Sequence, residues 1–239
     1  MFTEYFQQQA QGLEKALEKK LGKRGVKLPE KEKDLNIFQE FYTFLKEHIP
    51  EEYSLATGKV RNKKHLLNRN CDLLIYKKWV PKVLDLTGGY ILSDALYGFI
   101  SIEANLTAAG LGTHASLTRA LKSLFIGEKQ YEELEPIPMY SVLFTYGSEH
   151  SLLFHKQSLM EISQEKEIPV NLEVDLICVL GQGLIIKDWE IAGGYKVVET
   201  GDETLMWFYV LLMEYLDRDG RMSYNLREYI KNNKEYNEY

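Results

Sequence analysis

Two acidic residues, Asp72 and Glu103, are the side chains of this sequence best placed to do chemistry together. Asp72 lies near the start of a predicted strand over 70–77, and Glu103 ends a predicted strand over 96–103. Side chains on adjacent strands can meet, and two carboxylates supply the hard oxygen ligands that Mg²⁺ takes in proteins. The pair therefore predicts a site for one metal ion, which when bound makes hydroxide available.

A run of basic residues surrounds Asp72 in the sequence. Between positions 59 and 82 the only acid is Asp72, although the net charge of the whole protein is −6. The basic residues are Lys59, Arg61, Lys63, Lys64, Arg69, Lys77, Lys78 and Lys82. Phosphate contacts need such a local positive surface, so the run predicts binding of DNA or RNA. The alternative is a solvated loop whose lysines keep an edge strand from pairing with another chain.

The other reactive side chains form no motif. The histidines show no metal-ligand spacing with Cys71 or Cys178. Both cysteines lie in predicted buried strands, and without a sign of export we expect no structural disulfide. No nucleophile-elbow sequence occurs around a serine.

The composition indicates a folded protein of the cell interior. Hydrophobic residues make up 45% and charged residues 27% of the 239 residues, which argues against disorder. The start, MFTEYFQQQA, lacks the basic and then apolar run of a signal peptide. The longest apolar run, 205–213, is too short to cross a bilayer. We therefore expect a cytoplasmic protein with no membrane partner.

Hydrophobic periodicity and turn residues divide the chain into alternating helices and strands. Helices are predicted over 2–22, 33–49, 113–126 (capped by Thr113), 156–166 and 202–216. Strands are predicted over 53–60, 70–77, 96–103, 139–146, 172–180, 184–187 and 195–199, with a hairpin turn at 181–183 and a fraying tail after Lys231. We expect an N-terminal helix and connector over 1–32, a single domain over 33–231 and a polar tail over 232–239.

Three segments carry a resemblance to a known family. They are EEYSLATGKV over 51–60, CDLLIY over 71–76 and LYGFISIEANLT over 96–107. They resemble an uncharacterised bacterial family of the PD-(D/E)XK nuclease superfamily, which carries an SVGTG segment, a CDIVIYD strand and an IEVKSTLT strand. The helix, three strands, helix and strand over 33–146 follow the order of that superfamily. The resemblance implies an α/β fold: a mixed β-sheet flanked by helices, with a PD-(D/E)XK-like core over 33–146 and C-terminal additions.

The resemblance also assigns roles, and here the sequence departs from the family pattern. Asp72 matches the first acid. In one register Glu103 matches the second acid and Asn105 replaces the lysine that would orient the attacking water. In the other, which keeps both flanks without a gap and is preferred, Ser101 replaces the acid and Glu103 the lysine. Either way the lysine is missing, and the following helix supplies no Asp or Glu.

Two functions follow from this degraded pattern. The first is a nuclease-like protein that binds nucleic acid and has a weak Mg²⁺-dependent phosphodiesterase activity, with Asp72 and Glu103 as metal ligands. The second is a catalytically inactive scaffold that binds a protein partner through the predicted helix over 2–22. The basic run favours the first function, and the missing lysine favours the second.

Overall fold

The computed structural model of the chain describes residues 1–21, 38–78, 89–126, 139–189, 191, 193–217, 225–230 and 235–239. The helices are α1 (Phe2–Leu21), α2 (Gln39–His48), α3 (Ala108–Ile126), α4 (Leu152–Glu165) and α5 (Thr204–Leu216). The strands are β1 (Tyr53–Gly58), β2 (Val60–Arg61), β3 (Cys71–Lys77), β4 (Ile91–Leu92), β5 (Leu96–Glu103), β6 (Tyr140–Thr145), β7 (Leu176–Val179), β8 (Gly183–Lys187), β9 (Tyr195–Glu199) and β10 (Asn237–Glu238). No helix among these residues is long and apolar enough to cross a membrane.

Eight of these strands form one mixed sheet in the order β1-β3-β5-β6-β7-β8-β9-β10. The β5–β6 and β6–β7 pairs are parallel, and the other pairs of this sheet are antiparallel. The two short strands β2 and β4 pair in parallel beside it. The helix–strand–strand–strand–helix–strand order predicted over 33–146 is therefore confirmed, with two short strands inserted.

Successive side chains of a strand point to opposite faces of the sheet, so a hydrophobic layer forms on each face. Val142 and Phe144 of β6 pack with α1, α2 and α5 on one face. Leu143, between them, packs with α3 and α4 on the other face. Because both faces are covered, the central parallel strands β6 and β7 are buried along their whole length, which is typical of parallel strands.

The N-terminal helix α1 lies on this common core. Its Phe6 ring contacts those of Phe44 in α2 and Tyr209 in α5, at centroid distances of 6.2 and 5.0 Å. Leu13 and Leu17 are also buried. The apolar face of α1 is thus covered by the chain itself, which leaves it no free apolar stripe for a protein partner.

Two local predictions are wrong. The helix α3 begins at Ala108, five residues before Thr113, and Thr107 caps it by accepting the Gly110 N–H at 3.0 Å. The end of the chain is paired instead of frayed, since Val197 and Tyr239 exchange two backbone hydrogen bonds of 3.0 and 3.1 Å. Without β10, β9 would be an edge strand with unpaired backbone groups, and these groups are available to pair with a polar segment.

The predicted hairpin between β7 and β8 is confirmed, with Val179 opposite Gly183. A Cβ atom at Gly183 would lie 2.2 Å from the Val198 carbonyl oxygen of β9. Only glycine allows that approach, because the backbones meet where a side chain would stand.

Candidate functional site

The register of β3 and β5 places the candidate carboxylates on one face of the sheet. Leu73 lies opposite Ile100 in the antiparallel ladder, so the next step along it sets Asp72 opposite Ser101. Alternation then puts Asp72, Ser101 and Glu103 on the face that α3 covers. Glu103 is diagonal to Asp72, a separation that long side chains can bridge.

Asp72 is fixed against the backbone of β5. Its Oδ2 accepts the Ile102 N–H at 2.9 Å, which holds the half-buried carboxylate between Ser101 and Glu103. A hydrogen bond from a backbone N–H stabilises the ionised form of a carboxylate, the form that binds a cation.

Glu103 lies where β5 ends and α3 is about to begin. A Cβ atom at Gly110, in the first turn of α3, would be 3.8 Å from Glu103 Oε1. The Glu103 carboxylate therefore lies against the first turn of α3.

The two positions that depart from the family pattern occupy different surroundings. Ser101 is only 6% exposed, inside the sheet. Asn105 is exposed, beyond the end of β5, and its Oδ1 lies 3.8 Å from the place of a Cβ at Gly147. Asn105 therefore stands at the edge that solvent and a substrate can reach, whereas Ser101 does not.

These residues could hold a hard divalent cation with two protein ligands. Among the described residues there is no group of three or more His, Cys, Asp or Glu arranged to hold a metal, and α3 contains no acid. Mg²⁺ is nevertheless often bound by one or two carboxylates together with water and substrate phosphates. Asp72 and Glu103 fit that mode of binding.

The basic run is divided between two ends of the fold. Lys59 donates to Asn68 Oδ1 at 2.7 Å, just after Gly58, which pairs with Cys71 at the Asp72 end of β3. Besides burial, the charges of Asp72 and Arg69 both act on the pKa of the Cys71 thiol, which Asp72 raises and Arg69 lowers. Lys59 and Arg69 therefore lie near the carboxylates.

The remaining basic residues lie farther away. The Asn62 side chain donates to the Leu124 carbonyl at 3.1 Å, so Lys63 and Lys64 sit by the C-terminal end of α3, about 20 Å along the helix from Gly110. Arg61 is half-buried, and its Nε donates to the Asn62 carbonyl. Lys77 and Lys78 lie at the far end of β3, about 20 Å from Asp72, and Lys77 Nζ stands 4.7 Å from the Tyr97 ring centroid. Lys82 falls outside the described residues.

The sequence gives no sign of a buried ionic cluster, the quartet of Lys122, Glu173, Asp175 and Lys187. Lys122 of α3 lies 2.7 Å from Asp175, and Lys187 of β8 lies 3.1 Å from Glu173. Asp175 Oδ2 also accepts from the Ser141 N–H and Oγ. Burial lowers the pKa of Lys122, and burial together with the charge of Lys122 lowers the pKa of Lys187 to about 8. Enclosed in the protein, the quartet ties α3 to β6, β7 and β8.

A second constellation absent from the sequence analysis follows β6. Ser148 Oγ and His155 Nε2 are 2.6 Å apart, and the His150 N–H donates to Ser148 Oγ at 3.0 Å. Burial, with a smaller effect of His150, lowers the pKa of His155 to about 4. The segment adjoins the end of β5, since the Leu106 N–H donates to the Gly147 carbonyl at 2.8 Å.

The three-stranded antiparallel unit β1-β3-β5, continued through α3 into the parallel strand β6, defines a PD-(D/E)XK-like α/β fold. Solved structures of NucC, which has this fold, are similar to the chain. NucC of E. coli MS115-1 in its cAAA-bound form has a TM-score of 0.69 and 12% identity, over 92% of this chain and 91% of the other. The apo form of the same protein has a TM-score of 0.62 and 14% identity, over 88% of this chain and 91% of the other.

NucC of P. aeruginosa ATCC27853, also bound to cAAA, gives a TM-score of 0.65 at 12% identity, over 90% of this chain and 91% of the other. At such identities the likeness establishes the fold. No protein-family model matches the chain, and no curated protein matches it.

Proposed function

We propose that this chain is a nuclease-like nucleic-acid-binding protein with a weak, Mg²⁺-dependent phosphodiesterase activity at Asp72 and Glu103. The observation that carries the proposal is the position of these two carboxylates, on one face of a PD-(D/E)XK-like sheet and at the ends of neighbouring strands. The likeness to NucC structures supports a nuclease-like scaffold.

Each residue has a separate task in this proposal. Asp72 and Glu103 hold the cation, which when bound activates water and offsets charge on the phosphate. The Ile102 N–H orients Asp72, and the Glu103 carboxylate lies against the first turn of α3. Asn105 stands at the exposed edge beside them, where it can hydrogen-bond a water or a phosphate oxygen but carries no positive charge.

Lys59 and Arg69 provide the phosphate contacts nearest to the carboxylates. They lie at the Asp72 end of β3, one on each arm of the hairpin that links β1 to β3. Positive side chains at this place attract a DNA or RNA backbone towards the cation site in a protein that is acidic as a whole.

The test is cleavage of plasmid and single-stranded substrates with Mg²⁺ or Mn²⁺, and with EDTA. Asp72→Asn should abolish cleavage while leaving an amide oxygen to accept the Ile102 N–H, so that the fold is retained. Asp94→Ala is the matched control, because Asp94 is an exposed acid before the opposite end of β5. The assay is run with and without cAAA, the ligand in two of the similar structures. Cleavage that survives in Asp72→Asn would contradict the proposed site.

A catalytically inactive scaffold that binds a protein partner is the second candidate. It is favoured by Asn105 at the lysine position of one register and by the lack of an acid in α3. The apolar face of α1, the helix on which a partner was expected to bind, packs on Phe44 and Tyr209 of this chain. A folded protein that binds no nucleic acid at low salt and cuts none would favour this candidate.

A further inference from the structure

His155 has an unmet hydrogen-bonding requirement. Its side chain is 0% exposed, and among the described residues its Nδ1 has no hydrogen-bond partner. Buried polar atoms in folded proteins are nearly always paired with protein, ordered water or an ion. The described residues provide no partner for this atom, so a bound ligand would complete its hydrogen bonding.

The other nitrogen of the same ring is already engaged. His155 Nε2 lies 2.6 Å from Ser148 Oγ, which fixes the orientation of the imidazole. Histidines that bind metal ions usually make such a bond through their second nitrogen, because it sets the tautomer and the direction of the first.

A second imidazole stands at a suitable distance. The ring centroids of His150 and His155 are 5.9 Å apart. Two imidazoles that share one ion, with nitrogen–metal distances of about 2.0–2.1 Å, have centroids roughly 5 to 6 Å apart. His150 is exposed and packs on the Phe154 ring, with centroids 4.3 Å apart.

We propose that His150 and His155 form a binding site for a divalent transition-metal ion of the Zn²⁺ type, with Ser148 as the residue that positions His155. Imidazole nitrogen suits Zn²⁺, Cu²⁺ and Ni²⁺, whereas Mg²⁺ prefers oxygen. Two protein ligands leave the remaining coordination positions to water or to a phosphate oxygen. The site adjoins Gly147, next to Asn105, but it is independent of the proposed cleavage activity.

The experiment is a titration of the purified, metal-free protein with Zn²⁺ in competition with a chromophoric chelator. His150→Ala should weaken Zn²⁺ binding more than Ser148→Ala, for which a loss of about ten-fold is expected. His65→Ala is the matched control, because it removes an exposed histidine from the hairpin between β1 and β3, and it should bind as the wild type does.

A second measurement guards against a folding defect in the variants. Zn²⁺ should raise the melting temperature of the wild type and of His65→Ala but not that of His150→Ala, while far-ultraviolet circular dichroism of all three remains the same. Wild-type affinity in His150→Ala, or no saturable binding by the wild-type protein, would overturn the proposal.

Discussion

Asp72 accepts a hydrogen bond from the backbone of β5, and this contact decides which neighbouring side chains can share a cation with it. Ser101 lies directly opposite Asp72 but is only 6% exposed, so a carboxylate at this position would be shielded from water. Glu103 is half-buried at the strand end. At the scale of single residues, we therefore propose a pair of Asp72 and Glu103 with Asn105 in the place of the lysine.

This preference predicts which repair restores activity. Asn105→Lys should raise Mg²⁺-dependent cleavage on the order of a hundred-fold, because it supplies the missing electrostatic donor at the exposed edge. The double change Ser101→Glu with Glu103→Lys should not, since it buries a carboxylate. Initial rates on plasmid substrate distinguish the two designs.

The controls for this repair keep the shape and remove the chemistry. Asn105→Gln lengthens the side chain without adding charge and should leave the rate unchanged, and Asp72→Asn should cancel any gain from Asn105→Lys. A rise with the double change alone would reverse the assignment of the register.

At the scale of elements, the hairpin between β1 and β3 sets the path open to a nucleic acid. Lys59 and Arg69 lie at its base beside Asp72, and Lys63 and Lys64 lie at its tip by the C-terminal end of α3. Lys59 and Lys64 are five residues apart, so their Cα atoms can lie at most about 18 Å from each other, which corresponds to roughly five nucleotides at about 3.4 Å each. A strand that crosses the candidate site could therefore touch both groups.

The salt dependence of binding measures these contacts. Lys63→Ala with Lys64→Ala should reduce the slope of log affinity against log salt by about two, one for each lost phosphate contact. Lys15→Ala with Lys19→Ala makes the same change in charge on exposed positions of α1, a helix that covers the other sheet face, and should leave the slope unchanged. Equal slopes in the two double variants would show that Lys63 and Lys64, at the hairpin tip, make no phosphate contacts.

At the scale of the whole molecule, the quartet joins α3 to three strands and makes stability depend on pH. Lys187 has a pKa of about 8 in the folded protein, below the value of an unfolded lysine, near 10.4. Between these values Lys187 binds more protons in the unfolded chain than in the folded protein, so this group contributes a free energy of unfolding that rises with pH. Lys122, whose pKa is also lowered by burial, acts in the same direction.

Urea unfolding between pH 8 and 10 tests this linkage. Lys187 should contribute a gain on the order of 2 kcal/mol, since a pH unit of full linkage is worth about 1.4 kcal/mol. Cys71 and Cys178, whose pKa values burial raises, act in the opposite direction over the same range, because their unfolded thiols lose protons that the folded thiols keep. Above pH 10 the buried Tyr140 and Tyr195, whose pKa values are raised, also lower the free energy of unfolding. The contribution of Lys187 is therefore read as the difference between the wild type and Lys187→Met, whereas Lys196→Met, on the exposed side of β9, should keep the wild-type profile. Parallel profiles for the wild type and Lys187→Met would contradict the lowered pKa of Lys187.

The sequence by itself determined the order of the elements, the hairpin at Gly183 and the strands that carry Asp72 and Glu103, and its resemblance to a known family implied the mixed sheet with its flanking helices. The order, the hairpin and the strands follow from periodicity and turn residues, which act between neighbours in the chain. The start of α3 at Ala108 was missed because two threonines, Thr107 and Thr113, could each cap a helix, and only the packed structure shows which one does.

Only the tertiary structure decided the rest. It divided the basic run between different parts of the fold, brought the last residues of the chain to the edge of β9, and assembled the quartet from positions 122 to 187. It also buried His155 Nδ1 without a hydrogen-bond partner among the described residues and set the His155 ring 5.9 Å from that of His150. The first three depend on contacts between segments far apart in the chain, and the last depends on burial, which no local pattern of residues specifies.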